Sequence, residues 1–243
     1  MVREPAILAL LAICSACATR PGALPVVPGA RVLVKSAHLP SGEPWYSRWA
    51  DHMWFDVCSG GQWWRVEVLG PGSGVRVQQI DEARAFADVR WGREAHILAD
   101  VSGGGAETKA RAILERAPGY PFDGEYEAWP GPNSNTFVVW VSREVGGLDF
   151  DPYPTAVGRN HRGWFGLGSN PGGDGFEITT PLVGVEAGPL HGLDLHFLAW
   201  TVGVGLWPPT LRLPFLRGIP GGWLSSAEAR DAEAHPGPRA AGK

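Results

Sequence analysis

Three residues able to do acid–base or nucleophilic chemistry fall at telling positions: His52, Glu67 and Ser134. The first two lie on opposite arms of the stretch HMWFDVCSGGQWWRVEVL, residues 52–69. Gly60-Gly61 at its middle suits a two-residue hairpin turn, because both positions accept positive φ without steric cost. Closing the hairpin there pairs Ser59 with Gln62, Val57 with Trp64, Phe55 with Val66 and Met53 with Val68, which collects one apolar face. The other face pairs Asp56 with Arg65 and Trp54 with Glu67, so that His52 and Glu67 become diagonal neighbours within reach of each other. A carboxylate beside an imidazole fixes its tautomer and raises its basicity, as a general base requires. The plain alternative is a half-exposed strand histidine beside an ordinary surface acid.

Ser134 belongs to the run Trp129-Pro-Gly-Pro-Asn-Ser-Asn-Thr-Phe137. A proline-rich turn delivers three small polar residues to the start of a predicted helix, where free backbone N–H groups favour developing negative charge. A hydroxyl there can serve as a nucleophile with nearby amides as its oxyanion hole. Asn133 and Asn135 would then supply amide donors, whereas in a non-catalytic binding domain Trp129, Asn133 and Asn135 would line a pocket or hold a turn. Asn and Ser are equally the preferred helix caps, so the same residues also read as a structural stop that satisfies buried backbone groups.

Period-two alternation predicts strands over residues 31–35, 52–57, 63–69, 75–80, 96–101, 176–180, 193–204 and 211–215. Helices are predicted over Ala106–Ala117, which stops before Pro118-Gly119, and from near Asn133 to about Val145, where Phe137, Val141 and Val145 recur every four residues. The expected class is α+β, with a mainly antiparallel sheet and two principal helices.

Over 243 residues the charged fraction is 19% and the net charge −4, with no basic stripe, which excludes a nucleic-acid binder. The apolar run Ala6–Ile13 is too short to span a bilayer but fits a signal-peptide core. Small residues then precede Cys17, which resembles a bacterial lipobox with Cys17 as the acylated first residue of the mature chain. Residues 1–16 are thus expected to be a lipoprotein signal peptide and 17–30 a Pro/Gly-rich tether. A single globular domain is expected over 31–222 and a disordered tail over 223–243, whose last 19 positions lack any aromatic or branched apolar residue. The expected location is the bacterial cell envelope, outside the cytoplasm, with the membrane as partner through the lipid anchor. Cys58 is the single thiol of the mature body besides Cys17 and reads as incidental. No cofactor is expected. His191, Asp194 and His196 invite a metal, but on one continuous strand His191 would point away from the other two, so none is expected. Arg159, His161 and Arg162 read as a solvated basic loop.

The segments HMWF (52–55), RVEVLG (65–70), WPGPNSNTF (129–137), PTAVG (154–158) and LRLP (211–214) resemble a bacterial family known as domain of unknown function 3750, over roughly residues 31–220. That family brings no catalytic roles. An early strand histidine and a later helix opened by Asn133-Ser134-Asn135-Thr136-Phe137 is similar, at the level of fold, to the circularly permuted NlpC-type papain-like hydrolases and acyltransferases. That resemblance implies Ser134 in the place of the nucleophilic cysteine and His52 as base, with Glu67 orienting it. The target would be an amide or ester in peptidoglycan or lipid. The alternative is a non-catalytic binding or scaffolding domain of the envelope.

Overall fold

The computed structural model describes residues 29–40, 50–170, 173–198, 200–206 and 209–214. The expected signal peptide, Cys17, most of the tether and the C-terminal tail lie outside the described residues. Two six-stranded antiparallel sheets organise the chain, with three α-helices and one short 3-10 turn (Ala117–Gly119) among the described residues. The sheets are antiparallel throughout, as the alternation predicts, and the few helices beside them are consistent with an α+β or a mainly β class.

The first sheet runs β4 (Val75–Ile80), β3 (Gln62–Val68), β2 (Asp51–Ser59), β1 (Arg31–His38), β6 (Arg93–Ser102), β5 (Val89–Arg90). The β2–β3 hairpin has the register drawn from its turn: Ser59 faces Gln62, Val57 faces Trp64 and Phe55 faces Val66. One face carries Val32, Val34, Met53, Phe55, Val57, Val66 and Val68, all buried. Helices α2 (Ala106–Arg116) and α3 (Ser134–Val145) cover it, burying Ala110, Ile113, Phe137, Val138 and Val141 at helical spacing. The first-turn Glu107 of α2 accepts from Ser59 Oγ at 2.8 Å and from the Gly60 amide at 3.2 Å, which fastens the hairpin turn. The opposite face is also buried, under the short helix α1 (Glu82–Ala85) and the β5–β6 turn, and mixes an apolar cluster of Leu33, Cys58, Trp63 and Ala85 with the charged residues Lys35, Asp56, Arg65 and Glu67.

The second sheet is a meander of β7 (Gly166–Ser169), β8 (Phe176–Thr179), β9 (Val183–Gly188), β10 (Gly192–Phe197), β11 (Trp200–Gly205) and β12 (Thr210–Arg212). The stretch expected as one strand over 193–204 is therefore the hairpin β10–β11. Its alternation is inverted relative to an ordinary half-buried sheet. Glu177, Glu186, Asp194, His196 and Thr201 point inward and are buried. Register aligns Val202, Leu195, Val185, Ile178 and Leu167 across the outer face, and beside them Leu211, Val204, Leu193, Ala187 and Phe176. Leu195 is 55% exposed and Phe197 60%. No helix among the described residues is long and apolar enough to cross a membrane.

Candidate functional site

The polar face of the first sheet gathers what the hairpin register foretells and adds cations from elsewhere. His52 Nε2 lies 3.1 Å from Glu67 Oε2, and Arg90 Nη2 donates to the same oxygen at 2.5 Å. Asp56 accepts a two-pronged contact from Arg65, at 2.7 and 2.9 Å, and a third bond from Trp54 Nε1 at 3.0 Å. Lys35 Nζ donates to the carbonyls of Ala85 and Ala87, both at 2.9 Å, and stands 3.7 Å from Asp56. The Trp54 ring is enclosed by positive charge: Arg90 Cζ lies 4.7 Å from its centroid, Arg65 Cζ 5.5 Å and Lys35 Nζ 5.6 Å.

Trp91 closes the group from above. Its ring meets His52 edge-on at 5.0 Å and carries the Arg90 guanidinium at 4.3 Å. Trp91 and Gly92 form the β5–β6 turn at φ 53° and 72°. Gly92 suits that turn, whereas an aromatic residue in the left-handed region costs about 1–2 kcal/mol, a strain of the kind found at functional positions.

Over this face opens a cavity of about 470 Å³. Its lining includes five cations (Lys35, Arg65, Arg76, Arg84 and Arg90) against one carboxylate, Glu67, with Trp54 and Trp91 as walls. Arg76 and Arg84 are exposed and have no ion-pair partner among the described residues. Burial pulls Lys35 down to about 8, partly opposed by Asp56, so it remains largely charged at neutral pH. Burial also depresses His52 below its ordinary value despite the neighbouring acid. The imidazole is thus neutral at pH 7. Burial pushes Glu67 up, but His52 and Arg90 outweigh it and hold the carboxyl at about 2. The charge of Glu67 is balanced by Arg90, and His52 serves as a hydrogen-bond donor to it.

The other candidate residues are spent on architecture. Asn133 caps α3: its Oδ1 accepts from the amides of Asn135 and Thr136, while Nδ2 donates to the carbonyls of Ala128 and Val157. Thr136 Oγ1 closes the capping box with the Asn133 amide and donates to Gly158 O at 2.7 Å. Gly158 has φ +82°, and a Cβ there would stand 2.5 Å from Asn133 Nδ2, so only glycine fits. Asn135 acts as a peptide surrogate at the open edge of β2. Its Oδ1 accepts from the Met53 amide at 3.0 Å, and its Nδ2 donates to Asp51 O and Val157 O, both at 2.8 Å. Trp129 is 40% exposed in the loop before α3 and is not among the residues lining the cavity. Ser134 occupies the first helical position and is buried.

The structure does not bring Ser134 and His52 into one cleft. Helix α3 packs on the Met53–Phe55–Val57 face of β2, and strand parity sends His52 to the other face, where Glu67, Trp54 and Trp91 enclose it. A permuted papain-like active site needs these two groups across a shared space, and the His52 ring is instead turned to the face of β2 away from α3, against Glu67 and Trp91. Cys58 is buried near the end of β2, with burial pushing its thiol up, which suits an inert residue.

Two expectations are corrected by long-range contacts. Arg159 is not solvated but wholly buried, donating to Asp194 Oδ2 at 2.8 Å. His191 does not obey the parity of β10, because it lies in the turn before that strand and folds back to within 3.3 Å of Asp194 and of Glu186.

No curated protein and no solved structure matches the chain. The family model described as "Protein of unknown function (DUF3750)" matches residues 32–161, from β1 through α3 to the loop beyond Gly158. That span holds the whole basic cavity and the Asn133–Thr136 latch, and it ends before the second sheet begins. Matched over more than half its length, this chain belongs to the DUF3750 family.

Proposed function

We propose that this chain is a non-catalytic binding module of the cell envelope that takes an anionic small molecule in the basic cavity of its first sheet. The observation that carries the reading is the five-to-one excess of cations over carboxylates in a cavity walled by two tryptophans. A phosphate- or carboxylate-bearing ligand completes the charge balance there, and its apolar part finds aromatic walls. A volume near 470 Å³ falls in the range of small-molecule sites, about 300–1,000 Å³. The hydrolase or acyltransferase reading, with Ser134 as nucleophile and His52 as base, has no comparable support, since each of those groups sits on its own side of the sheet.

Inorganic pyrophosphate is a suitable probe, titrated by calorimetry in a buffer of low ionic strength. Binding is expected at one per chain and weakening with added salt. In the Arg76→Ala/Arg84→Ala chain, affinity falls at least tenfold while the melting temperature stays put, because both side chains are exposed and outside the buried pairs. Unchanged affinity in that variant, or no binding by the parent, sinks the proposal.

The outer face of the second sheet supports a position against lipid. A row of uncharged, exposed aliphatic residues backed by inward charges is the alternation of bilayer-facing strands. These strands have at most six residues, against about 9–11 needed to cross, so the face rests on a bilayer and does not traverse it. Acylation expected at Cys17 would hold it there. The chain from residue 17 with Cys17→Ser should float with neutral phosphatidylcholine vesicles, and Leu195→Glu/Phe197→Glu should abolish flotation. Equal flotation of both chains, or a dimer that the two glutamates dissociate, overturns the lipid assignment.

A further inference from the structure

The inward face of the second sheet contains donor atoms that converge at ion-pair distances. Glu186 on β9 and Asp194 on β10 are register partners, which sets two carboxylates side by side under the sheet. His196 follows two residues after Asp194 on the same face, and His191 enters from the turn before β10. We propose that Glu186, His191 and Asp194, whose donor atoms all lie within 4.8 Å of one another, form a binding site for one divalent transition-metal ion of the zinc type, with His196 beside the second oxygen of Glu186.

Distance is the first argument. His191 Nε2 lies 3.3 Å from Glu186 Oε1 and 3.3 Å from Asp194 Oδ2, and His196 Nε2 lies 3.3 Å from Glu186 Oε2. Zinc bonds to nitrogen and oxygen of about 2.0–2.1 Å place tetrahedral donors about 3.3–3.4 Å apart. The two edges from His191 to Glu186 and to Asp194 therefore match those of such a shell, which keeps a further position open.

Direction is the second. His191 Nε2, His196 Nε2 and Glu186 Oε1 are buried and have no hydrogen-bond partner in usable geometry among the described residues. Buried polar atoms without partners are rare, and here His191 Nε2 and Glu186 Oε1 face each other, with His196 Nε2 on the second oxygen of Glu186. The His196 ring is oriented from behind, with Nδ1 3.0 Å from Thr201 Oγ1. When that nitrogen carries the proton, Nε2 turns a bare lone pair toward the carboxylate, and a cation between them resolves the repulsion.

Charge is the third. Asp194 accepts from Arg159 at 2.8 Å and from Arg212 at 3.1 Å, on different oxygens. Each oxygen has two lone-pair directions, so these bonds orient Asp194 and leave it a direction toward His191. Asp151, 2.5 Å from Arg212, adds a third carboxylate to the two guanidiniums. With both imidazoles deprotonated, as metal ligation requires, the group carries one net negative charge, and a divalent ion brings it to one positive. The imidazole–carboxylate set suits zinc, cobalt(II) and nickel(II) better than calcium or magnesium. The site lies beyond the family match, so it is a property of this chain's second sheet.

The full-length chain, stripped with chelator, is titrated with Co²⁺ and then Zn²⁺. One equivalent of Co²⁺ is expected to give the intense visible bands of a low-coordinate ion, and Zn²⁺ to bleach them. Zn²⁺ should also raise the melting temperature of the parent. His191→Gln is expected to weaken Zn²⁺ binding at least tenfold and to remove the thermal shift, while His161→Gln, outside the cluster, leaves both intact. Glu186→Gln should behave as His191→Gln does. Should it fail to fold, His191→Gln decides alone, since that ring leaves from a turn and not from within the sheet. Absence of saturable one-to-one binding, or parental affinity in His191→Gln, overturns the site and leaves a buried ion-pair network.

Discussion

The Asn135→Ala chain is expected to lose about 4 kcal/mol of unfolding free energy, a large part of the 5–15 kcal/mol typical of a domain. The reason lies in what the amide holds. Asn135 bonds the Met53 N–H and the carbonyls of Asp51 and Val157, all in buried surroundings. Each buried backbone group left without a partner costs about 1–3 kcal/mol, and the Met53 amide and the Asp51 carbonyl lose theirs together, while Val157 O keeps its bond from Asn133 Nδ2. A water admitted to the vacated space satisfies part of this, which sets a floor near 2 kcal/mol. Asn135→Asp should be at least as damaging. It keeps the acceptor for Met53 but turns a carboxylate oxygen toward two carbonyls. Ser134→Ala, one residue away, should change stability by less than about 1 kcal/mol, because removing a hydroxyl at the first helical position opens no backbone group. Urea unfolding followed by circular dichroism measures all three. A loss below about 1 kcal/mol for Asn135→Ala would mean that the latch is redundant.

That contrast shows where the sequence was readable. A glycine pair flanked by alternating residues admits one hairpin register, and the structure has it. The α3 start was equally legible, since Asn133 followed by Thr136 is a capping arrangement and the apolar residues after it recur at helical spacing. What the sequence could not convey was the side of the sheet from which α3 would cover the hairpin. Period two separates two faces without naming the inner one, and both faces of β2 are buried. Placing His52 and Ser134 in one cleft depends on that missing information. The second sheet shows the same ambiguity in stronger form. Residues 193–197 alternate cleanly, yet the apolar set is outside and the charged set inside. Arg159 appeared solvated because its partners, Asp194 and Glu186, lie far along the chain. Trp91 carried no signal at all, as a tryptophan in a left-handed turn follows no composition rule.

Replacing Asp56 by alanine is expected to cost about 3–5 kcal/mol and, unlike the loss at Asn135, to be partly reversed by an anion. Asp56 is fully buried beneath the basic cavity and bonds Arg65 through both oxygens, with Lys35 at 3.7 Å. A buried ion pair contributes little net stability while intact, because desolvation offsets the attraction, but deleting one member strands the other charge. Here two cations are stranded, and Trp54 Nε1 loses its acceptor as well. Lys35 and Arg65 both line the cavity, so an anion that enters it meets the charges left unbalanced. Any ligand that binds the folded state alone raises stability by RT ln(1 + [L]/Kd). Pyrophosphate should therefore raise the melting temperature of Asp56→Ala by more than that of the parent, and the difference should shrink at high salt. In Asn135→Ala the anion shift should equal the parent's, because that lesion leaves the cavity's charges untouched. Thermal melts of the three chains with and without pyrophosphate test the argument. An equal shift in all of them would show that the cations beneath Trp54 are sealed from the ligand and act only as internal counter-ions.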